Sequence, residues 1–234
     1  MERTPWGLHL AGFVRLATAA DLARPHIYAY YELEREALIM AGSDHTPNAL
    51  LVIDVQESFK APPRWQHRNN PDFEGNVLQL IDGFRAANEP VFYFLHSDTD
   101  EHFSVKSSYY RLMDFLAPRD NEPLLHKTSR NCFTSTNLLQ HLLTQHVGRV
   151  TVSGIQTEQC CETTARVAAD LGFDVDFVTE ATLTFPIPKT LDPGSEVLPA
   201  DAVVERTEYA LRRRFARICS VADVLDRLAV LGRA

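Results

Sequence analysis

The segment 150–172 reads VTVSGIQTEQCCETTARVAADLG and joins a strand pattern, a tight turn at Gly154 and a helix pattern that opens near Cys160. A thiol at the first turn of a helix meets backbone N–H groups and the positive end of the dipole, both of which favour thiolate. The same amides suit a developing oxyanion. Thr157 and Glu158 read as capping residues that aim the turn, and Ala165, Ala168 and Ala169 as small residues for close packing. An ordinary thiol is mostly protonated at neutral pH, so a carboxylate to accept its proton and a cation to stabilise the anion would complete the chemistry. Asp54, near the end of the apolar run ALLVIDV at 49–55, is a carboxylate of that kind.

These residues carry a resemblance. The pattern G-I-Q-T-E-Q-C from Gly154 to Cys160, continued by Thr164-Ala165-Arg166, resembles the nucleophile motif of the isochorismatase-like cysteine hydrolases. Two more segments stand in the family's order: LLVIDVQESF around Asp54 and HKTSRNCFTSTNL around Lys127. The resemblance covers roughly 49–221. It implies that Asp54, Lys127 and Cys160 converge on one catalytic site. It also implies a cis peptide at Ile155–Gln156, with the Gln156 and Cys160 N–H groups as oxyanion donors. Gln56, Phe59 and Trp65 are expected to shape the substrate pocket, with core or interface packing as the alternative for the two aromatics.

The expected reaction is hydrolysis of a C–N bond in a small amide or carbamoyl compound through a thioester. The vinyl-ether hydrolysis of true isochorismatases is the alternative, and Cys160 counts against it because the resembling enzymes generally lack that thiol. A non-catalytic, metabolite-binding member is a further reading, which loss of any of the three residues would have favoured. Cys161 is the rival nucleophile, but the next helical position points about a quarter-turn away, so it reads as packing. A redox pair of Cys160 and Cys161 would close only a strained ring. Some relatives, the nicotinamidases, bind a metal through Asp-x-His and a later His; here His96-Ser97-Asp98 and His102 reverse that order, so no metal and no cofactor are expected.

Positioning such a site requires a scaffold. Apolar runs at 49–55, 90–95, 149–155, 174–179 and 217–221 read as strands, and helical stripes at 73–87, 136–147, 160–171 and 202–215 lie between them. This alternation implies an α/β three-layer sandwich, with a mostly parallel central sheet and helices on both faces. Ligands gather at the carboxyl ends of strands in such sheets. Asp54 and Cys160 are placed there by the pattern; Lys127 is not. The Pro-rich stretch 185–199 reads as a long surface loop of the kind that covers a pocket.

Residues 46–234 form the expected hydrolase domain, and 1–45 stand apart from the alternation. Met40 begins a polar leader before the first strand, so 1–39 are either an upstream run foreign to the native protein or an arm that packs on a partner subunit. His9 and Arg15 interrupt the apolar stretch 6–20, against a secretion signal.

Of 234 residues, 45% are hydrophobic and 23% charged, which suits one sizeable core and one active site. The net charge of −8 would repel a phosphate backbone, so nucleic acid is not an expected partner. The run Arg212-Arg213-Arg214 reads as the solvated face of the 202–215 helix. No apolar run is long enough to span a bilayer. The four cysteines, Cys132, Cys160, Cys161 and Cys219, have neither CxxC spacing nor the density of a disulfide scaffold, which fits reduced thiols in a cytoplasm. A small-molecule substrate and a homo-oligomeric state complete the expectations.

Overall fold

The computed structural model describes residues 46–61 and 63–231. The two readings of residues 1–39 lie outside the described residues.

The strands are β1 (Asn48–Ile53), β2 (Val91–His96), β3 (Leu124–Lys127), β4 (Arg149–Ile155), β5 (Asp174–Leu183) and β8 (Arg217–Ile218). They form one parallel six-stranded sheet in the order β3-β2-β1-β4-β5-β8. A separate antiparallel pair, β6 (Ile187–Pro188) and β7 (Val197–Leu198), lies within the 185–199 stretch. The helices are α1 (Phe73–Ala86), α2 (Leu138–Thr144), α3 (Glu162–Asp170), α4 (Ala200–Leu211) and α5 (Val221–Leu231). The expected α/β three-layer sandwich is therefore the fold, and neighbouring residues of β2 show its layers. The Tyr93 hydroxyl accepts a hydrogen bond from Arg85 Nη2 of α1 (3.3 Å), while the Phe92 ring meets His141 of α2, centroids 5.8 Å apart. Successive side chains of a strand leave opposite faces, so α1 and α2 cover opposite faces.

Helix α1 is set by apolar spacing: Phe73, Val77, Leu80, Ile81 and Phe84 fall on one buried face. Each such side chain removed from water contributes about 1.5–3 kcal/mol. The helix stops in a Schellman turn: Asn88 takes φ 57°, its N–H donates to Arg85 O (3.3 Å), and Glu89 N–H donates to Phe84 O (2.9 Å). The same arrangement ends α2 at His146, φ 53°.

Three expectations change. Residues 124–127 form a strand that the apolar pattern does not mark, because β3 is the sheet edge and only Lys127 of its four residues is fully buried. The last strand is only two residues long, and helix α5 starts where the strand was expected to continue. Ser220 and Asp223 explain this as a reciprocal capping box: Ser220 N–H donates to Asp223 Oδ2 (2.9 Å) and Asp223 N–H to Ser220 Oγ (3.0 Å). The run Arg212-Arg213-Arg214 is exposed but lies beyond α4, since Arg212 leaves helical ψ (132°) and Arg213 takes φ 69°.

Among the described residues no helix is long and apolar enough to cross a membrane. The four cysteines are buried and free.

Candidate active site

All strands of the main sheet run the same way, so Asp54, His96, Lys127 and Gln156 emerge at one carboxyl-terminal edge. Register sets their neighbourhood: Ile53 pairs with Gly154 and His96 with Lys127. Gly154 has φ 123°, and a Cβ there would collide with the carbonyl of Ile53, so only glycine lets β4 approach β1 this closely. Asp54 takes a left-handed φ of 52°, which turns the chain out of β1 immediately before the site.

Lys127 and Asp54 are both fully buried, with Nζ 2.8 Å from Oδ2. The contact is close but off the line of a hydrogen bond, and neither Asp54 oxygen has an aligned donor among the described residues. The lysine is held from other sides by the carbonyls of Ser129 and Arg130 (3.2 Å each) and faces His96 Nδ1 at 3.4 Å. Burial is the largest single influence and works against its ammonium, but Asp54, with Cys132 and Cys160 acting in the same direction, raises its pKa overall. Cys160 is buried beside this pair. Burial pushes its thiol pKa well up, Asp54 adds to the shift, and Lys127 opposes it.

Burial and Asp54 thus work against the thiolate that the helix terminus was expected to favour, and Lys127 works for it. Local geometry contributes. Cys160 lies in a π turn, Thr157–Cys161, that precedes α3, with Gln159 and Cys161 N–H both donating to Gln156 O at 3.2 Å. Thr157 and Glu158 do not cap this turn. They bond the end of β5, Thr157 to Thr182 Oγ1 (2.9 Å) and Glu158 to Thr184 Oγ1 (2.5 Å). The Ile155–Gln156 peptide is cis, as the resemblance implied.

A cavity of about 200 Å³ opens on the site, lined by Asp54, Phe59, His96, Asp98, Asp100, Phe103, Arg130, Gln156, Gln159 and Cys160. Of the expected pocket residues, Phe59 lines it. Gln56 does not: it is fully buried, donating to His96 O (3.1 Å) and accepting from His96 N–H (2.8 Å), so its amide clamps β1 to β2. Trp65 stands behind the wall, packed on Phe185 and under the Arg68 guanidinium, 4.5 Å from the ring. Cys161 is fully buried and faces no cavity residue's opening, as packing requires. Sequence reasoning missed Asp100, Phe103, Arg130 and Gln159 as wall residues. Arg130 and Gln159 stood inside the quoted Lys127 and Cys160 segments and were the two with a signal.

His96 and Asp98 reach the cavity, whereas His102 turns to Glu101 (3.4 Å) and Tyr109. Among the described residues no three His, Cys, Asp or Glu side chains gather in a metal-holding group. A wider cleft of about 660 Å³ lies at the opposite strand ends, lined in part by Arg149, Asp174, Arg213 and Arg217. It contains no nucleophilic thiol or free carboxylate pair, so the smaller cavity is the candidate active site.

Residues 48–224 match the family model for the isochorismatase domain. Nicotinamidase 3 of Arabidopsis thaliana is 33% identical over 153 residues, 58% of this chain and 73% of that protein. Streptothricin hydrolase of Streptomyces noursei is 31% identical over 172 residues, 70% of this chain and 64% of its own length. A solved isochorismatase-family structure from Chromobacterium violaceum superposes with a TM-score of 0.71 at 26% identity, covering 79% of this chain and 94% of that one. With the match spanning the whole sheet and every residue of the cavity wall, the chain belongs to the isochorismatase family of hydrolases.

Proposed function

We propose that this protein is a cysteine-dependent hydrolase of a C–N bond in a small amide or carbamoyl compound. The observation that carries the reading is the buried Cys160 thiol beside an Asp54 carboxylate that lacks an aligned donor and is paired with Lys127. Cys160 Sγ attacks the carbonyl carbon as its proton passes to Asp54, and the negative charge moves to the carbonyl oxygen. The N–H groups of Gln156 and Cys160 receive that oxyanion. Collapse of the tetrahedral adduct breaks the C–N bond, and Asp54 gives the proton to the leaving amine. Water, deprotonated by Asp54, then attacks the thioester, releases the acid and restores the thiol. Lys127 keeps Asp54 oriented and offsets charge on the thiolate.

The small volume of the cavity favours a small-molecule substrate, and the likeness to a protein named nicotinamidase favours an amide. The test is a panel of small amides, ureas and carbamoyl amino acids, assayed for ammonia or amine release and quenched in acid for intact-mass analysis. An acyl adduct on Cys160, absent in Cys160→Ala, is expected with the productive compounds. Turnover of a vinyl ether with no amine released, undiminished in Cys160→Ala, would replace this reading with the isochorismatase reaction.

A further inference from the structure

The cleft of about 660 Å³ at the amino-terminal ends of the strands has no part in the chemistry above. Arg149 opens β4, Asp174 opens β5 and Arg217 opens β8, and the length of β4 puts about 20 Å between this cleft and Gln156. Five arginines line it against two aspartates, in a chain whose net charge is −8.

Both acids are engaged by other arginines. Asp174 Oδ2 accepts from Arg149 Nη2 (2.8 Å). Asp176 is buried and accepts from Arg217 at Oδ1 and from Arg227 at Oδ2 (2.8 Å each). Arg149 and Arg217 are thereby matched, and the surplus positive charge falls on Arg212, Arg213 and Arg214. Arg212 reaches Glu208, one helical turn back, at 3.4 Å. Arg213 and Arg214 are exposed and have no side-chain partner among the described residues.

These three side chains are carried on a fixed turn. The carbonyl of the buried Leu211 accepts the N–H groups of Arg214 (3.3 Å), Phe215 (3.0 Å) and Ala216 (3.0 Å). Arg213 sits at φ 69°, where glycine or asparagine is the easier occupant, so the turn itself does not call for arginine. The rest of the lining includes the apolar Phe173, Val175 and Ile218, and the Phe215 ring is braced by the Arg166 guanidinium at 4.4 Å.

A carboxylate has two oxygens in one plane and is filled by a single guanidinium. A phosphate presents three oxygens and close to two charges, so neighbouring arginines can bind it together. The volume also falls in the range that holds small organic ligands, about 300–1,000 Å³. We propose that this cleft is a second binding site, which takes the phosphate groups of a small phosphorylated molecule on Arg213 and Arg214, with Arg212 beside them.

Calorimetry on the full chain at physiological ionic strength tests this, with inorganic pyrophosphate and ADP as probes and adenosine as the control. Both phosphates are expected to bind and adenosine is not. Affinity is expected to fall about tenfold or more in the Arg213→Gln/Arg214→Gln double variant, the scale of a lost charge-assisted hydrogen bond. It should hold in Lys189→Gln, which removes an exposed charge on β6–β7, outside the cleft. On the parent protein, ADP should shield Arg213 and Arg214 from phenylglyoxal, read by peptide mass. Tighter binding of ADP than of pyrophosphate would support a phosphate ester seated on the apolar lining, and equal affinities would support a site that reads the phosphates alone. No binding of either probe, an equal loss in Lys189→Gln, or absence of shielding would overturn the proposal. So would tighter binding of a single-stranded oligonucleotide than of ADP, which would make the cleft a nucleic-acid site. A change of assembly size in the double variant with no binding in the parent would overturn it in favour of a subunit interface. No turnover is measured, so the outcome is independent of the reaction assigned to Cys160.

Discussion

Lys127 reaches from the edge strand β3 across the end of β2 to Asp54 at the end of β1, bringing Nζ within 2.8 Å of Oδ2 with both side chains fully buried. Removing either partner strands a buried charge, which typically costs about 3–5 kcal/mol. Asp54→Asn is the gentler probe of chemistry, because asparagine tolerates the left-handed backbone found there. Asp54→Asn and Lys127→Met are each expected to lower kcat by roughly 10²-fold or more. The double variant should lose less than the product of the two, because both serve one thiol. Multiplicative losses in steady-state kinetics would mean that they act independently.

Cys160→Ala is expected to abolish turnover with the fold intact, whereas Cys161→Ala keeps most activity. Only Cys160 borders the cavity, and its neighbour is sealed in packing. Circular dichroism checks the fold of each. Activity retained in Cys160→Ala and lost in Cys161→Ala would put the nucleophile one residue on.

Activity is expected to survive dialysis against a chelator. A divalent ion at His96 and Asp98 would meet the Arg130 guanidinium already standing against His96 Nε2, and His102 faces elsewhere. Loss of activity on dialysis, restored by zinc or manganese, would show that these groups rearrange around a metal.

Stability should fall in mildly acidic solution partly through His96. Its folded pKa lies below the ordinary 6.5, through burial first and then Lys127, with Arg130 acting the same way and Asp54 and Asp98 opposing. Between the folded and unfolded values the unfolded chain binds more protons, so this contribution is present above pH 6.5 and is lost as pH falls through the folded pKa. Thermal midpoints measured from pH 7.5 down to about 5 should therefore drop less steeply in His96→Gln than in the parent. Identical slopes would show that His96 titrates normally.

At the other end of the sheet, Asp176 is buried and accepts from Arg217 Nε (2.9 Å) and Nη2 (2.8 Å) and from Arg227 Nη1 (2.8 Å). Both arginines are partly solvated, so Asp176→Ala should cost near the lower end of the range for a broken buried pair, about 3 kcal/mol. For a chain of this size that is a midpoint drop of roughly 6–12 °C. An unchanged midpoint by calorimetry would mean that the arginines find water at no cost.

The sequence by itself determined the layered α/β fold, because continuous apolar runs such as 49–55 and 149–155 can be satisfied only where both faces of a strand are covered. It also marked Asp54, Lys127 and Cys160, since their segments stand in an order that resembles a family. Strand β3 stayed hidden because an edge strand needs no continuous apolar run, although that strand is what carries Lys127 to Asp54. Helix α5 was legible in principle, through Ser220 and Asp223, but its cap follows a strand too short to show. What only the tertiary structure decided is the state and setting of the site. Whether Cys160 is thiol or thiolate depends on how deeply it is buried and on the carboxylate beside it, and residues more than a hundred positions apart set both. Gln56 was misread for the same reason: its neighbours in sequence suggest a pocket, while its hydrogen bonds to His96 across the sheet consume its amide. Arg130 and Phe103 gained their place on the wall only when the β3 and β2 ends were folded against Cys160, because a cavity is a property of surfaces brought together and has no local pattern in the chain.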